Sequence, residues 1–411
     1  MWNAIHPIFL PLLVLRFVPE THKNAGLGLL SSVGLIIALL VQPLSGALSD
    51  ATRSRWGRRR PWMLIGTVGD LLFLTVLAMA GSYWLLAIGY IGLQLSSNLA
   101  HGANQGLIPD LVPVQRRGEA AGLKNALDIA AVVLAATIIG RLLRGIQPRN
   151  SWSLVVIGLL LSLTLLITWF GAKEASSLRQ NDSLPAKGLH LTTLKASFAL
   201  DLRSNRNYVK LMASRFLLLF GTYAVQSFAL FYFRDALHVI DPARLMSRVM
   251  TTIGLGLLVI AYPAGLLSER IGRKPTSILA CALSATGIAL FILVRGAMGV
   301  YLAAGVLGLG LGTFLTVNWS WATHLVPPAE AGKYLGLSNL ATAGSGAIAR
   351  LLGPAIDWGN RISHDTGYMG LFILATLAAL GALALTVRLP EPVAPNIGVD
   401  PPGDVSLIHQ V

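Results

Sequence analysis

Gly46–Ala47–Leu48–Ser49–Asp50–Ala51–Thr52–Arg53–Ser54–Arg55–Trp56–Gly57–Arg58–Arg59–Arg60–Pro61 lies between two long apolar runs, and a shorter form returns as Gly265–Leu266–Leu267–Ser268–Glu269–Arg270–Ile271–Gly272–Arg273–Lys274–Pro275. Both copies read glycine, serine and acid, then glycine, arginine and further base, closed by proline. Setting Pro61 on Pro275 gives an offset of 214 residues. The same offset places Leu111–Val112–Pro113 on Leu325–Val326–Pro327, and Gly122, Leu123 and Asn125 on Gly336, Leu337 and Asn339. Two anchors on one spacing mark an internal duplication of about half the chain.

The composition says what is duplicated. Of 411 residues, 54% are hydrophobic and only 12% charged, with mean hydropathy +0.65, which is not a soluble globular balance. Apolar runs of about 17–25 residues, long enough to cross a bilayer, recur down the chain. Twelve are read, at 4–18, 26–49, 61–80, 83–106, 120–140, 152–171, 208–233, 246–268, 276–295, 299–323, 333–356 and 367–388. They are too long and too continuously apolar for the alternating strands of a membrane barrel. Backbone groups in lipid must be satisfied within the segment, so the runs are expected to be helices. The first run is short and interrupted by Pro7 and Pro11. It predicts a short kinked helix, the alternative being a chain that starts downstream of its natural N-terminus. A cleaved signal peptide is disfavoured, because no basic segment precedes the run and no small-residue cleavage site follows it.

Orientation follows from lysine and arginine. With the repeated loop on the cytoplasmic side, that side also holds Arg116, Arg117, Lys124, Lys333 and most of the basic residues of 172–210. The bias over the opposite side is about two to one, and it places both termini inside. The formal charge of +14 is therefore spread over short loops as a topology signal, which argues against a nucleic-acid groove. Segment 173–207 reads as a cytoplasmic linker between halves 1–172 and 208–390, and 391–411 as a disordered tail. The single cysteine, Cys281, cannot form an internal disulfide. No metal motif, phosphate loop or nucleophile–base set is present in the sequence, so no cofactor and no enzymatic activity are expected.

Two six-helix halves with this loop between the second and third helix of each resemble the major facilitator superfamily, a fold built from two parallel-related halves. The resemblance implies an all-α membrane protein of twelve transmembrane helices in two pseudo-symmetric bundles. The downstream copy fits the superfamily pattern, with Glu269 where an aspartate is usual. The longer upstream copy, ending Arg58–Arg59–Arg60–Pro61, is similar to the glycoside–pentoside–hexuronide and sucrose–proton symporter groups, although Ala51 stands where those groups carry a base. Asp110–Leu111 followed by Arg117–Gly118 also resembles them, and the matching second-half position is His324, without the acid.

The loop has the attributes of a gate, with candidates Gly46, Asp50, Gly57, Arg58, Arg59, Gly265, Glu269, Gly272 and Arg273. Glycines let two helices approach, and Asp50 can face a helix N-terminus or pair with an arginine in one gating state. The alternative is that the bases only enforce topology, and for Arg59 and Arg60 that they are simply solvated.

Polar residues inside membrane helices are costly and mark candidate functional positions. In the fourth run Gln94, Asn98, His101 and Gln105 follow i, i+4, i+7, i+11 and share one face. Amides that donate and accept suit sugar hydroxyls, so the stripe is a candidate substrate surface; the alternative is hydrogen bonding that joins helices. Asp70 and Asp128 are the carboxylates deep in the runs, each roughly 12–14 Å from the cytoplasmic side at about 1.5 Å per residue. Either suits proton or sodium coupling. Lys124, four residues before Asp128, offers a structural ion pair instead. The resemblance adds a reservation: the sucrose group has an aspartate in the fourth helix where Gln94 stands. In the second half Arg215 and Arg350 are the main intramembrane bases, and Gln226, Asn318, Trp319, Trp321 and Asn339 are further possible contacts. Gly353–Pro354 predicts a kink.

The reading is a secondary transporter in the plasma membrane (the inner membrane of a prokaryote), working by alternating access and coupling a cation to a sugar or similar small polar solute. Its partners are the solute, the cation and the lipid bilayer, with no obligatory protein partner. The alternatives are an exporter of drug-like compounds, which lacks support from a Gly-Pro-x-x-Gly-Gly pattern in the fifth helix, and a non-transporting membrane sensor.

Overall fold

The computed structural model describes residues 2, 5–113, 116, several positions between 123 and 137, and 151–172, 174, 176–179, 205–294, 296–325 and 331–391. The expected linker and tail fall almost wholly outside these residues, as do the side chains of His324, Lys333 and Asn339.

The first half contains α1 (Ile5–Phe17), α2 (Lys23–Ala51), α3 (Arg60–Ala78), α4 (Tyr83–Gln105), helical positions between 123 and 137 that form α5, and α6 (Ser151–Gly171). The second half contains α7 (Arg206–Asp235), α8 (Pro242–Ile271), α9 (Arg273–Leu293), α10 (Ala297–Leu325), α11 (Ala331–Arg350) and α12 (Thr366–Val387). Short helices Leu107–Leu111 and Gly353–Ile362 follow α4 and α11. No strand occurs among the described residues.

The ends of the helices follow local chemistry. Ser82 Oγ accepts from Leu85 N at 3.2 Å to start α4, and Asp241 caps Arg244 N at 3.0 Å to start α8, with Pro242 in the first turn. The expected continuous eleventh run instead ends at Arg350. Two turn residues follow, and Gly353–Pro354 opens a separate helix, because proline cannot donate to the preceding turn. The first run begins as a π-helix over Ile5–Phe9, around Pro7, before becoming α-helical.

Among the described residues, eight helices are long and apolar enough to cross a bilayer. Helices α4 and α11 have the length but are diluted by amides, glycines and hydroxyls. Leu40, Leu159, Ile167, Phe170, Val259 and Leu377 are all exposed, forming the apolar jacket that lipid requires. Inside the second half, Phe228, Phe231, Phe233, Phe291 and Phe372 are fully buried, with Tyr232 edge-on to Phe372 at 4.7 Å.

The halves meet along α2 and α11. A Cβ on Gly28 would overlap the carbonyl oxygen of Arg350, and one on Gly353 would overlap that of Asn24. Only glycines allow this backbone approach.

Candidate functional site

The repeated loop folds the same way twice. Ser49 Oγ donates to Gly46 O at 2.8 Å, and Ser268 Oγ to Gly265 O at 2.7 Å, each tightening the last turn before the loop. The chain then reverses through Gly57 at φ +93° and Gly272 at φ +97°, conformations that disfavour any side chain. Each next helix begins within three residues.

An acid from the end of each half closes these turns. The Glu174 carboxylate, just beyond α6, accepts from the backbone N–H groups of Arg58 at 2.8 Å, Arg59 at 2.9 Å and Arg60 at 3.2 Å. Glu391, just beyond α12, accepts from Lys274 N at 3.3 Å. A carboxylate is favoured there by the free N–H groups and the helix dipole.

The first copy adds a network of side chains. Arg59, only 5% exposed, reaches Ser49 Oγ, the Gly46 carbonyl, the Asp50 carboxylate and, at 2.8 Å, Asp110 Oδ2. Solvation therefore does not describe Arg59; it is the centre of the cluster. Arg58 holds the same aspartate through two bonds, at 2.6 and 3.2 Å. Arg60 donates to the Ala172 carbonyl and lies over the Trp169 ring. Burial pushes the Asp110 carboxyl up, but the bonds from Arg59 and Arg58 outweigh it and hold the group below the usual carboxylate range. In the second copy Glu269 and Arg273 make no ion pair among the described residues. The sequence reading did not single out Glu174 or Glu391, whose signal was an acid immediately after the last helix of each half.

At the end of the bundle opposite these loops, the halves are tied together. The Asp357 carboxylate sits on the N-terminus of α2, accepting from Ala25 N at 2.7 Å, Asn24 N at 3.3 Å and Asn24 Nδ2 at 2.8 Å. Lys23, buried, pairs with Asp235 at 2.6 Å and Glu20 at 2.7 Å, and Arg234 pairs with Glu20. Tyr368 Oη donates to Asp235. Further along, Ser32 Oγ donates to the Ala347 carbonyl at 3.0 Å.

Beneath this seal lies an open cavity of about 110 Å³ between α1, α2, α7 and α11, lined among others by Trp2, His6, Ser31, Tyr223, Gln226 and Arg350. The amide stripe of α4 stands behind its wall and reaches it through His6, whose Nε2 lies 3.3 Å from Gln94 Nε2. Gln94 is 2% exposed and donates to Tyr90 Oη at 2.9 Å; Tyr90 Oη in turn lies 3.1 Å from His6 Nδ1. Asn98 donates back to the Gln94 carbonyl at 2.8 Å. His101 and Gln105, 3.0 Å apart, are exposed. The expected stripe is thus one face, buried at the sealed end and open toward the loops. His6, Tyr90 and Tyr223 were not singled out by the sequence reading, because only folding brings α1 against α4 and α7 against α1.

The two candidate acids separate. Asp70 is 3% exposed between α3 and α4, away from the cavity, and accepts from Ser96 Oγ at 2.5 Å. Asp128 is exposed and paired with Lys124 at 2.7 Å. Arg215 donates to Asn318 Oδ1 at 2.9 Å and to Thr342 Oγ1 at 3.0 Å. Trp321 is buried in the core and Trp319 is exposed.

Comparison with known proteins agrees with this layout. The glucuronide carrier protein homolog of Escherichia coli (strain K12) is 25% identical over 314 residues, covering 71% of this chain and 64% of that protein. The lactose permease of Lactobacillus helveticus is 28% identical over 186 residues, 40% of this chain and 28% of its own. The alignments therefore span less than two thirds of these relatives' lengths. The class D tetracycline resistance protein of Salmonella ordonez is 25% identical over 396 residues, covering 95% and 94%. The solved D-xylose–proton symporter superposes with a TM-score of 0.69 at 18% identity, over 95% of this chain and 94% of that one. At that identity the likeness is one of fold. The family model described as Major Facilitator Superfamily matches residues 6–349 and 212–409, so both copies of the duplicated half fall within it. With its paired loops, its two joined bundles and the cavity between them, the chain belongs to the major facilitator superfamily.

Proposed function

We propose that the chain is a secondary active transporter that carries a sugar or similar small polar solute together with a cation by alternating access. The observation that carries this is a polar cavity between two halves, sealed at one end by Asp357 and Lys23 and flanked by exposed polar groups toward the other. Halves 1–172 and 208–390 rock about the cavity, and the arginine–aspartate loop and the Asp357 seal hold alternate ends. The names of the relatives (a glucuronide carrier homolog, a lactose permease) and of a fold neighbour (a D-xylose–proton symporter) support a sugar as cargo.

Asp70 is the coupling acid in this reading. It is buried on one hydroxyl with no cation beside it among the described residues, whereas Asp128 already has Lys124. Gln94 and Asn98 position the cavity wall, and His101 and Gln105 meet solute on the loop side. The loops and both termini face the cytoplasm across the plasma membrane, by the distribution of basic residues. Uptake of labelled sugars into proteoliposomes, with and without proton or sodium gradients, tests the proposal. Accumulation of at least one sugar under one gradient is expected. Failure of every sugar to accumulate under either gradient would remove it.

A further inference from the structure

Helix α8 has a face that changes character along its length. From its start at Pro242 the exposed positions run Arg244 and Arg248, then Leu255, Val259, Tyr262 and Leu266, with half-buried Thr252 between. Spacings of three and four residues keep them on one side of the helix. At about 1.5 Å per residue the 30 residues of α8 span about 45 Å, the thickness of a bilayer with its headgroups. Arg248 then lies about 9 Å in, where headgroups meet hydrocarbon. Charge sits at headgroup depth and apolar side chains at acyl depth.

The two arginines line a second cavity, of about 580 Å³, that α8 shares with Thr137 of α5 and Tyr301 of α10. The Thr137 hydroxyl lies 3.3 Å from that of Thr251, so this cavity stands on the seam between the halves. Neither guanidinium makes a hydrogen bond or ion pair among the described residues. The nearest acid in sequence, Asp241, is turned onto Arg244 N as the helix cap. Thr251 and Thr252, also in the lining, donate to the Ser247 and Arg248 carbonyls at 3.0 and 2.9 Å, which leaves their oxygens as acceptors. The site therefore offers two free forks to an anion, beside oxygens that accept from a hydroxyl. A phosphodiester presents two unesterified oxygens to such forks, and a glycerol headgroup supplies the hydroxyls. An ammonium headgroup would instead meet two uncompensated positive charges.

We propose that this cavity binds one anionic phospholipid with a glycerol headgroup, taken from the leaflet on the side away from the repeated loops. Its phosphate lies between Arg244 and Arg248, its headgroup hydroxyls meet Thr251 and Thr252, and its acyl chains follow Leu255, Val259 and Leu266 down α8. Basic pockets between membrane helices suit such headgroups. Arginines that only reached for water would need neither the cavity nor the apolar track below them.

The test uses the full-length protein in detergent, with native mass spectrometry counting the molecules bound. The probes titrated in are phosphatidylglycerol, phosphatidylethanolamine and deacylated glycerophosphoglycerol. The first phosphatidylglycerol is expected to bind at least tenfold more tightly than either of the others. In the double variant Arg244→Gln with Arg248→Gln that preference should fall to near unity. Arg388→Gln, an exposed arginine at the far end of α12, should keep it. Equal binding of the two lipids by the natural protein overturns the proposal. Equal binding of the deacylated compound would mean a site for a free phosphate ester and overturns it as well. Both outcomes are read on the natural protein, so neither depends on a variant that folds. Retention of the preference in the double variant, or its loss in Arg388→Gln, also overturns it, because arginines acting only as surface charge would behave alike.

Discussion

The Glu174 carboxylate occupies the space that a Cβ on Gly57 would need, and Glu391 stands in the same relation to Gly272. Two constraints coincide at each glycine: a positive φ, and an acid that must approach the backbone to cap the following helix. Gly57→Ala should therefore cost more than either effect alone, about 1–2 kcal/mol for backbone strain plus part of the charge-assisted cap, about 1.5–3 kcal/mol. Glu174→Gln keeps the shape and removes the charge, so its loss should be smaller. Fluorescence-detected melting of the purified variants checks the order, with Gly57→Ala lowest, Glu174→Gln intermediate and the natural protein highest.

The Arg59–Asp110 pair predicts a measurable coupling. Removing either partner leaves the other partly buried with one counter-charge fewer, Asp110 keeping Arg58 and Arg59 keeping Asp50. Each single alanine variant should lose about 2 kcal/mol, and a double-mutant cycle should return a coupling of about 1–3 kcal/mol. Melting of all four species measures it; additive losses would show that the contact contributes nothing.

Asp110 also sets a pH dependence. Its folded carboxyl is held below the unfolded value near 4, so its stabilising contribution is complete above that value and fades as pH falls through the lower folded one. Melting temperature should level off above about pH 5 and drop in acid below about pH 4. Asp110→Asn should start lower and show a shallower acid drop. An identical acid profile in both proteins would exclude Asp110 as a contributor.

Much of this architecture was legible in the sequence because a bilayer is a demanding solvent. Runs of apolar residues have to be about as long as the membrane is thick, and they stand out without any knowledge of packing. The α4 stripe was legible for a similar reason, since helical periodicity alone puts Gln94, Asn98, His101 and Gln105 on one face. The Lys124–Asp128 pair is local and was read from spacing, and Gly353–Pro354 marked a kink where the chain breaks into a separate helix. What escaped depends on tertiary approach. Arg59 and Arg58 are neighbours in an arginine run, and only the turn at Gly57 decides that Arg59 points inward to Asp110, Asp50 and Ser49. Glu174 looks like any acid after a helix until α6 returns beside α3. His6 belongs to a short, proline-interrupted run and gains meaning only against Tyr90 and Gln94.

The seal at the end opposite the loops gives a prediction about conformation. Asp357 caps a helix of the other half, so its loss weakens closure without removing a core side chain. Asp357→Ala should shift the balance away from the sealed state by about 2 kcal/mol, roughly thirtyfold. A cysteine at Ser31, in the cavity beneath the seal, reports the change through a membrane-impermeant thiol reagent added outside. The single natural cysteine, Cys281, is fully buried and contributes little background. Labelling should rise in Ser31→Cys with Asp357→Ala over Ser31→Cys alone. Unchanged labelling would mean that α2 and α11 stay together without the cap.

Asp70 is the sharpest test of coupling, because its setting separates coupling from solute binding. The carboxylate lies between α3 and α4 on Ser96, and the cavity lining does not include it. Replacing it by asparagine preserves size and a hydrogen bond to Ser96 while removing the exchangeable charge. Asp70→Asn should therefore retain solute exchange across liposomes at near-natural rates and lose accumulation driven by a cation gradient. Ser96→Ala removes the hydroxyl and keeps the acid, so it should retain accumulation with a displaced pH dependence. If Asp70→Asn accumulates solute as the natural protein does, the coupling group lies elsewhere. If it loses exchange and accumulation together, Asp70 serves the packing of α3 on α4 instead of the cation.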